Sequence, residues 1–302
     1  MRALVTGGTG FIGSNLVLKL IESEHDVIMT GHHAEQIIPN FKKGIYFQGD
    51  LTNIKWDFIN HVDVLFHQAA INDTTSMNRR EMLKVNVEKS KEIFQRAIDH
   101  GCKRIVYASS TAVYGNLPAP YTEDIKLAPL NPYGESKELL EEFATDFSAR
   151  HKEIVVVGLR YSNVYGPREN HKGKRASMIY KLAQMMMTGN PRHYKFGEAK
   201  RDFTYVKDVV MANLLASQSR ESCIVNCGSG KATSFNRLVE IINKVLGTSR
   251  VSEYIENPYN EMYQNFTLCD MSRAREKIGF IPEYDIEKGI RDYHESGFLV
   301  TR

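Results

Sequence analysis

The sequence predicts an α/β protein, a doubly wound parallel sheet followed by a smaller C-terminal lobe that holds substrate. Three observations predict it. Short apolar runs rich in Val, Ile and Leu alternate with helix-length stretches up to about residue 165. A glycine triplet separates the first run from the first helical stretch. Beyond residue 165 the alternation gives way to a polar loop, "GPRENHKGKRAS", and shorter segments.

Each element has its own signal. "RALVTG" is a strand stopped by glycine, and "FIGSNLVLKLIES" is the helix after it. "DVIMTG", "GIYFQGD" and "VDVLFHQAA" are three further short strands. Residues 78–100 read as one long helix with Gly101 as its stop. "RIVYASS" is a strand, residues 132–150 a helix, and "EIVVVGLRYS" a valine-rich strand buried on both faces. "MIYKLAQMMMTGNP" is a helix closed by Gly189 and Pro191, its three methionines packed into the lobe. Helices follow at 234–246 and 271–278, the second with Asp270 as N-cap and Gly279 past its end. The division expected is a Rossmann-like nucleotide-binding domain over 1–165 and a mainly substrate-binding lobe over 166–302, some of whose segments return to the sheet.

Composition narrows the function classes. Hydrophobic residues make up 42% of the 302 and charged residues 25%, as in ordinary globular domains. A net charge of +3 exerts no strong pull on nucleic acid or membrane. The basic stretch "RENHKGKR" has no interleaved aromatics and suits an anionic diphosphate better than a nucleic acid. Cys102, Cys223, Cys227 and Cys269 show no metal-ligand spacing and read as free thiols of a reducing compartment. No apolar stretch reaches the length of a membrane span and no signal peptide is apparent, so a cytoplasmic location is expected.

"TGGTGFIG" places Gly7, Gly10 and Gly13 between strand and helix in the spacing of a dinucleotide loop. The early glycines let the backbone approach a pyrophosphate, the last lets helix and strand pack closely, and the helix N-terminus favours the negative charge. An acid at the end of the second strand would hold the ribose hydroxyls of NAD. The stretch is instead "VIMTGHHAEQ", with His32 and His33 and neither acid nor arginine. Histidines can contact a 2′-phosphate, and the reading leans to NADP over NAD. Asp50, after the third strand, stands where it would cap the adenine amino group or simply a turn.

"NPYGESK" sets Tyr133 and Lys137 four residues apart on one helix face. Asn131 is a good N-cap and Pro132 a good first helical residue. A cation beside a phenol favours the phenolate, so the pair is expected to draw Tyr133 from about 10 toward neutrality. Such a phenol serves as general base or acid on an alcohol.

With these residues in place, "HQAA" at 67–70, "VNV" at 85–87, "YASSTAVYG" at 107–115, "RYSNVYGPR" at 160–168 and "KRDFTYVKDV" at 200–209 complete a pattern. Over its whole length the chain resembles the extended short-chain dehydrogenase/reductase family, specifically its nucleotide-sugar epimerases. The resemblance implies that Tyr133 is the catalytic base and acid, Lys137 its electrostatic partner and ribose contact, and Ser110 the hydroxyl bonded to the reacting oxygen. It also implies cofactor contacts from Phe11, Ile12, Leu51, Gln68, Ala69, Ala70 and Asn86, beside the glycines, His32 and Asp50.

Within the family, "RYSNVYGPRENHKGKRAS", "KRDFTYVKDV" and "TT" at 74–75 resemble the ADP-glycero-manno-heptose 6-epimerases most. That likeness implies a second catalytic base at Lys172 and substrate contacts from Asn163, His171, Arg201 and Tyr263. Lys172 as a binding residue is the alternative. The rival reading is a UDP- or GDP-hexose 4-epimerase, which needs no second base. A 4,6-dehydratase is disfavoured because Thr111 and Ala112 stand where that class carries an acidic pair. A non-catalytic NAD(P)-sensing protein is a distant alternative, against which the intact Ser110, Tyr133 and Lys137 argue. A tightly bound cofactor is expected, since the same molecule takes and returns the hydride. A homo-oligomer is expected too, through the helices at 78–100 and 132–150.

Overall fold

The computed structural model describes residues 1–32, 44–194, 196–257 and 264–300. Among them a seven-stranded sheet forms the centre of the molecule. Its strands are β1 (Arg2–Thr6), β2 (Asp26–Gly31), β3 (Ile45–Gln48), β4 (Val64–His67), β5 (Arg104–Ser110), β6 (Val155–Tyr161) and β11 (Cys223–Cys227). The spatial order is β3-β2-β1-β4-β5-β6-β11, and every neighbouring pair is parallel. The winding direction reverses between β1 and β4, and in such sheets that crevice is where a ligand binds.

Helices cover both faces. Along β1, Ala3 and Val5 face one core while Leu4 faces the other, so strand residues of both parities are apolar. The first core takes Leu16, Val17 and Leu20 from α1 (Phe11–Glu22). The second takes Phe94 and Ala97 from α3 (Lys89–Asp99) and Leu140, Ala144 and Phe147 from α4 (Pro132–Arg150). A third core lies in the C-terminal lobe. There Leu182 and Met186 of α5 (Met178–Thr188) meet Leu238 and Ile242 of α7 (Phe235–Leu246).

Several expectations change. The long helix expected at 78–100 is α2 (Arg79–Leu83), a π turn over Lys84–Glu88, and α3. The π turn carries Asn86, whose amide exchanges hydrogen bonds with Ile71 N and Ile71 O and donates to Ser136 Oγ. Helix α6 (Val206–Ala216) and helix α9 (Ile286–Glu295) were not anticipated. The apolar residues of α6 run nearly all round it, because it is wedged between sheet and lobe and shows no amphipathic stripe. Helix α8 (Ser272–Ile278) begins one residue later than expected, with Met271 at the N-cap. Asp270 still serves its start by accepting from Ser272 N at 2.8 Å. Strands β7 (Val164–Tyr165), β8 (Arg192–Tyr194), β9 (Lys200–Asp202), β10 (Thr204–Tyr205), β12 (Ala232–Ser234) and β13 (Glu253–Ile255) pair in twos beside the main sheet. Among the described residues no helix is long and apolar enough to cross a membrane.

Candidate active site

The glycine loop lies at the crevice. Gly7 has φ +67°, and a Cβ there would sit 2.9 Å from the Ala69 backbone. Gly10 is the N-cap of α1 and has no side chain to occupy the helix end, so the amides of Phe11, Ile12 and Gly13 point into the crevice. A Cβ on Gly13 would fall 2.1 Å from Gly7 O, which is why helix and turn can touch. This is a backbone cradle of the size and polarity that a pyrophosphate requires, so the residues present fit a dinucleotide.

At the end of β2, Gly31 takes the place of the expected acid. A Cβ there would meet Thr9 Oγ1 at 1.9 Å, and that hydroxyl accepts from His32 N at 3.0 Å. Thr9 therefore fills the space that an acidic side chain would need. Asp50 caps the 3-10 turn Leu51–Asn53 by accepting from Thr52, whose hydroxyl and backbone N–H hold the carboxylate below its ordinary value. Leu51 is buried behind it. Across the crevice, Ala69 N donates to Thr6 Oγ1 at 3.3 Å and Ala70 follows it in the loop after β4. The Gln68 amide is turned to Asn213 and Tyr161. Asn86 is committed to Ile71 and Ser136, so it locks the crevice wall to α4.

Ser110, Tyr133 and Lys137 come together where β5 ends and α4 begins. Asn131 Oδ1 accepts from Gly134 N at 2.9 Å and Pro132 opens the helix, so the first turn is fixed. Ser110 Oγ accepts from Ala112 N at 3.1 Å and hydrogen-bonds the Tyr133 phenol. Lys137 is buried and donates to Ala108 O at 2.8 Å, with its Nζ 5.8 Å from the Tyr133 ring centroid.

The expected pKa of this pair is corrected. Burial pushes the Tyr133 phenol above its ordinary value, with the Ser110 hydrogen bond pulling the other way. Burial also brings the Lys137 ammonium down to about 8, against the attraction of Glu141. The ammonium is spent on a strand carbonyl, and desolvation of the phenol outweighs its field.

Lys172 reaches the crevice from the opposite side. It sits in the 3-10 segment Asn170–Arg175, and its Nζ lies 5.2 Å from the ring centroid of Phe11, the first residue of α1. Asn15 of α1 donates to Pro167 O at 3.0 Å, and Arg175 donates to Asn72 Oδ1 at 3.3 Å, so this segment is tied to both banks of the crevice. Burial lowers the Lys172 ammonium, opposed by Glu169 and reinforced by Arg175 and Lys181. His171 is exposed beside it. In the lobe, Asn163 adopts φ +34° and donates to Asp202 O at 3.0 Å. Arg201 donates to Lys200 O and lies 5.8 Å from the Phe235 ring centroid. Tyr263 lies outside the described residues, as does His33.

Sequence reasoning passed over two buried carboxylates that build these walls. Asp202 accepts from Ser229 N, Gly230 N and Cys269 N, which fixes the lobe strand carrying Arg201. Glu169 accepts from Gly166 N and Ser177 N, which fixes the segment carrying Lys172. Their only sequence signal was their place inside two recognised motifs, Glu169 as the one acid of the first and Asp202 as one of two in the second.

Residues 3–228 match the NAD dependent epimerase/dehydratase family. The chain belongs to that family. Among solved structures of epimerases, the chain is similar to the ADP-L-glycero-D-manno-heptose-6-epimerase of Helicobacter pylori, at 33% identity and TM-score 0.86, covering 98% of this chain and 95% of the other. It is similar to the UDP-N-acetylglucosamine 4-epimerase of Methanobrevibacter ruminantium M1, at 31% identity and TM-score 0.89, covering 97% of each chain. MoeE5, whose structure holds UDP-glucose and NAD, is 29% identical with TM-score 0.85, covering 98% of each. As a member of this NAD-dependent family, the protein is an enzyme of nucleotide-sugar type rather than a binding module that only keeps the fold.

Proposed function

We propose that this epimerase inverts a side-chain carbon of a nucleotide-diphosphate sugar, as an ADP-glycero-manno-heptose 6-epimerase does. The observation that carries the reading is the place of Lys172, held against Phe11 on the bank of the crevice opposite the Ser110, Tyr133 and Lys137 group. Inversion needs hydride removal and return on opposite faces of one carbon, so the oxygen on that carbon must lose and regain its proton in two geometries, and two ionisable groups on opposite banks supply that. The 33% identity to the Helicobacter pylori enzyme supports the sugar class.

The glycine cradle of Gly7, Gly10, Phe11, Ile12 and Gly13 would hold the pyrophosphate, with Lys137 at the nicotinamide ribose. A bound nicotinamide dinucleotide supplies a hydride acceptor that later returns the hydride. The Tyr133 oxygen takes the substrate hydroxyl proton as the alcohol becomes a carbonyl, and Ser110 holds that oxygen. Once the carbonyl presents its other face, Lys172 donates its own ammonium proton to the oxygen, and Tyr133 and Lys172 return to their starting states by proton exchange with solvent. Asn163, His171 and Arg201 line the sugar and diphosphate side. The cofactor in this reading is NAD or NADP with a lean to NADP, because Thr9 fills the place of the ribose-binding acid at Gly31. Mass spectrometry of the nucleotide released on denaturation tests this, and NAD alone would overturn the lean. The 1–165 and 166–302 division, and association through the outer faces of α2, α3 and α4, complete the proposal. Light scattering showing a monomer would remove the association.

Lys172→Met keeps length and removes the ionisable group. The expected result is a strong fall in kcat for ADP-heptose epimerisation with a modest change in KM. A raised KM with kcat untouched would make Lys172 a binding residue. The UDP- or GDP-hexose 4-epimerase reading, which the likeness to the Methanobrevibacter enzyme favours, would then replace this one.

A further inference from the structure

Between β7 and α5 the chain makes an excursion from Gly166 to Ser177 that carries His171, Lys172 and Arg175. Little regular structure holds it. Arg168 has φ +73° and Gly173 φ +54°, both outside helix or strand geometry. What closes it is one carboxylate. Glu169 has no exposed surface, and it accepts from Gly166 N at 3.1 Å, Ser177 N at 2.5 Å and Ser177 Oγ at 2.9 Å. The first donor lies at the start of the excursion and the other two at its end. Ser177 is also the N-cap of α5, accepting from Tyr180 N, so the carboxylate joins the excursion to a helix terminus. All three partners donate, which favours the ionised carboxylate, while burial works more strongly the other way and raises its pKa.

Lys172, whose backbone N–H donates to Glu169 O at 2.9 Å, is the cation of the excursion that lies beside Phe11 at the crevice. The charged groups around Lys172 are Glu169, Arg175 on its own segment and Lys181 on α5, and of these only Glu169 favours the ammonium. Lys181 feels Glu169 as well. The phenols of Tyr165 on β7 and Tyr293 on α9 also face Glu169.

We propose that Glu169 is a positioning residue for Lys172: its buried carboxylate closes the 166–177 excursion and so holds the Lys172 ammonium at the edge of the cofactor crevice beside Phe11. The role rests on the proposed second-base reading only for its catalytic consequence. Without the carboxylate, Lys172 keeps two repelling cations and loses its attracting anion, so its proton leaves at lower pH.

The experiment titrates Lys172 directly in the full-length protein. Lysines are dimethylated with 13C-formaldehyde, and the Lys172 signal is assigned by its loss in Lys172→Met. Glu169→Gln should lower the Lys172 midpoint by about 1 pH unit or more. It should also cut kcat about tenfold or more with little change in KM. Ser177→Ala, which keeps the carboxylate, should leave the midpoint where it was. An unchanged midpoint in Glu169→Gln overturns the proposal. An equal fall in Ser177→Ala also overturns it, because loop packing rather than charge would then set Lys172. Should Glu169→Gln not fold, Lys181→Met carries the test. Removing that competing cation should raise the Lys172 midpoint, and no rise overturns the proposal. A midpoint that moves as expected while Lys172→Met leaves kcat untouched upholds the positioning role and removes the second-base reading alone.

Discussion

The two banks of the crevice are built in opposite ways. On one bank Tyr133, Lys137 and Ser110 stand on a strand end and a helix start, fixed by Asn131, Pro132 and the hydrogen bond from Lys137 to Ala108 O. On the other, Lys172 rides on an irregular excursion fastened by the Glu169 carboxylate and by contacts to Asn15 and Asn72. The first bank draws its geometry from backbone periodicity and is stiff wherever its elements are. The second draws its geometry from a short 3-10 segment and a few polar contacts. A reaction that must present two faces of one carbon has use for both a fixed wall and an adjustable one.

The contrast is tested first at its strongest point. Tyr133→Phe removes the proposed proton acceptor without disturbing the α4 start, and turnover should fall roughly 100- to 10,000-fold with circular dichroism unchanged. A loss no greater than that of Lys172→Met would erase the functional difference between the banks.

Acid should strike the regular side of the molecule. His67 ends β4, is wholly buried, and bonds Thr6 Oγ1 and Ser90 Oγ at 2.8 Å each; burial brings it down to about 3. The folded protein therefore keeps His67 neutral while the unfolded chain protonates it below about 6.5. Stability from this group is present above that pH and is lost as pH falls toward 3, with a slope of at most about 1.4 kcal/mol per pH unit. Denaturant unfolding at stepped pH should show this slope, and His67→Gln should flatten it.

Glycines sharpen the comparison. Gly13→Ala drives a Cβ against the Gly7 backbone and should cost about 1–3 kcal/mol along with cofactor retention. Gly173→Ala meets no atom within 4 Å, and its strain comes from the backbone at φ +54° and ψ −122° alone, so about 1–3 kcal/mol is expected with no loss of cofactor retention. Melting curves of the two variants with and without added nicotinamide dinucleotide separate the cases. The smallest effect belongs to a cap. Asn131→Ala should cost about 1 kcal/mol and slow turnover less than Tyr133→Phe, because Pro132 still opens the helix.

What the sequence disclosed follows the same line. The sheet, the glycine turn and the α4 start were legible because each depends on residues close in the chain: Gly7 to Gly13, Asn131 to Lys137. The π turn at Asn86 was not legible, since its partners Ile71 and Ser136 lie far along the chain. Glu169 and Asp202 read as ordinary acids because nothing in their neighbourhood announces burial. The direction in which the surroundings move the Tyr133 phenol was misjudged for that reason too. Four-residue spacing reports that Lys137 shares its helix face and is silent on where the ammonium bonds or how much water the phenol loses. Helix α6 escaped notice because an element packed on several sides carries no stripe.

The seventh strand bears on how such a molecule can be divided. Strand β11 comes from residues 223–227, yet it seals the flank of β6, matching Cys223 to Val157 and Cys227 to Tyr161. A fragment ending at residue 165 would leave that flank bare, with Val157 and Leu159 of the core beside unpaired backbone amides. Such an edge recruits other chains, so the fragment should aggregate. Swapping one lobe for another by cutting at that boundary would fail for the same reason. New specificity is more readily grafted by exchanging the segments on either side of β11 while the strand itself stays in place.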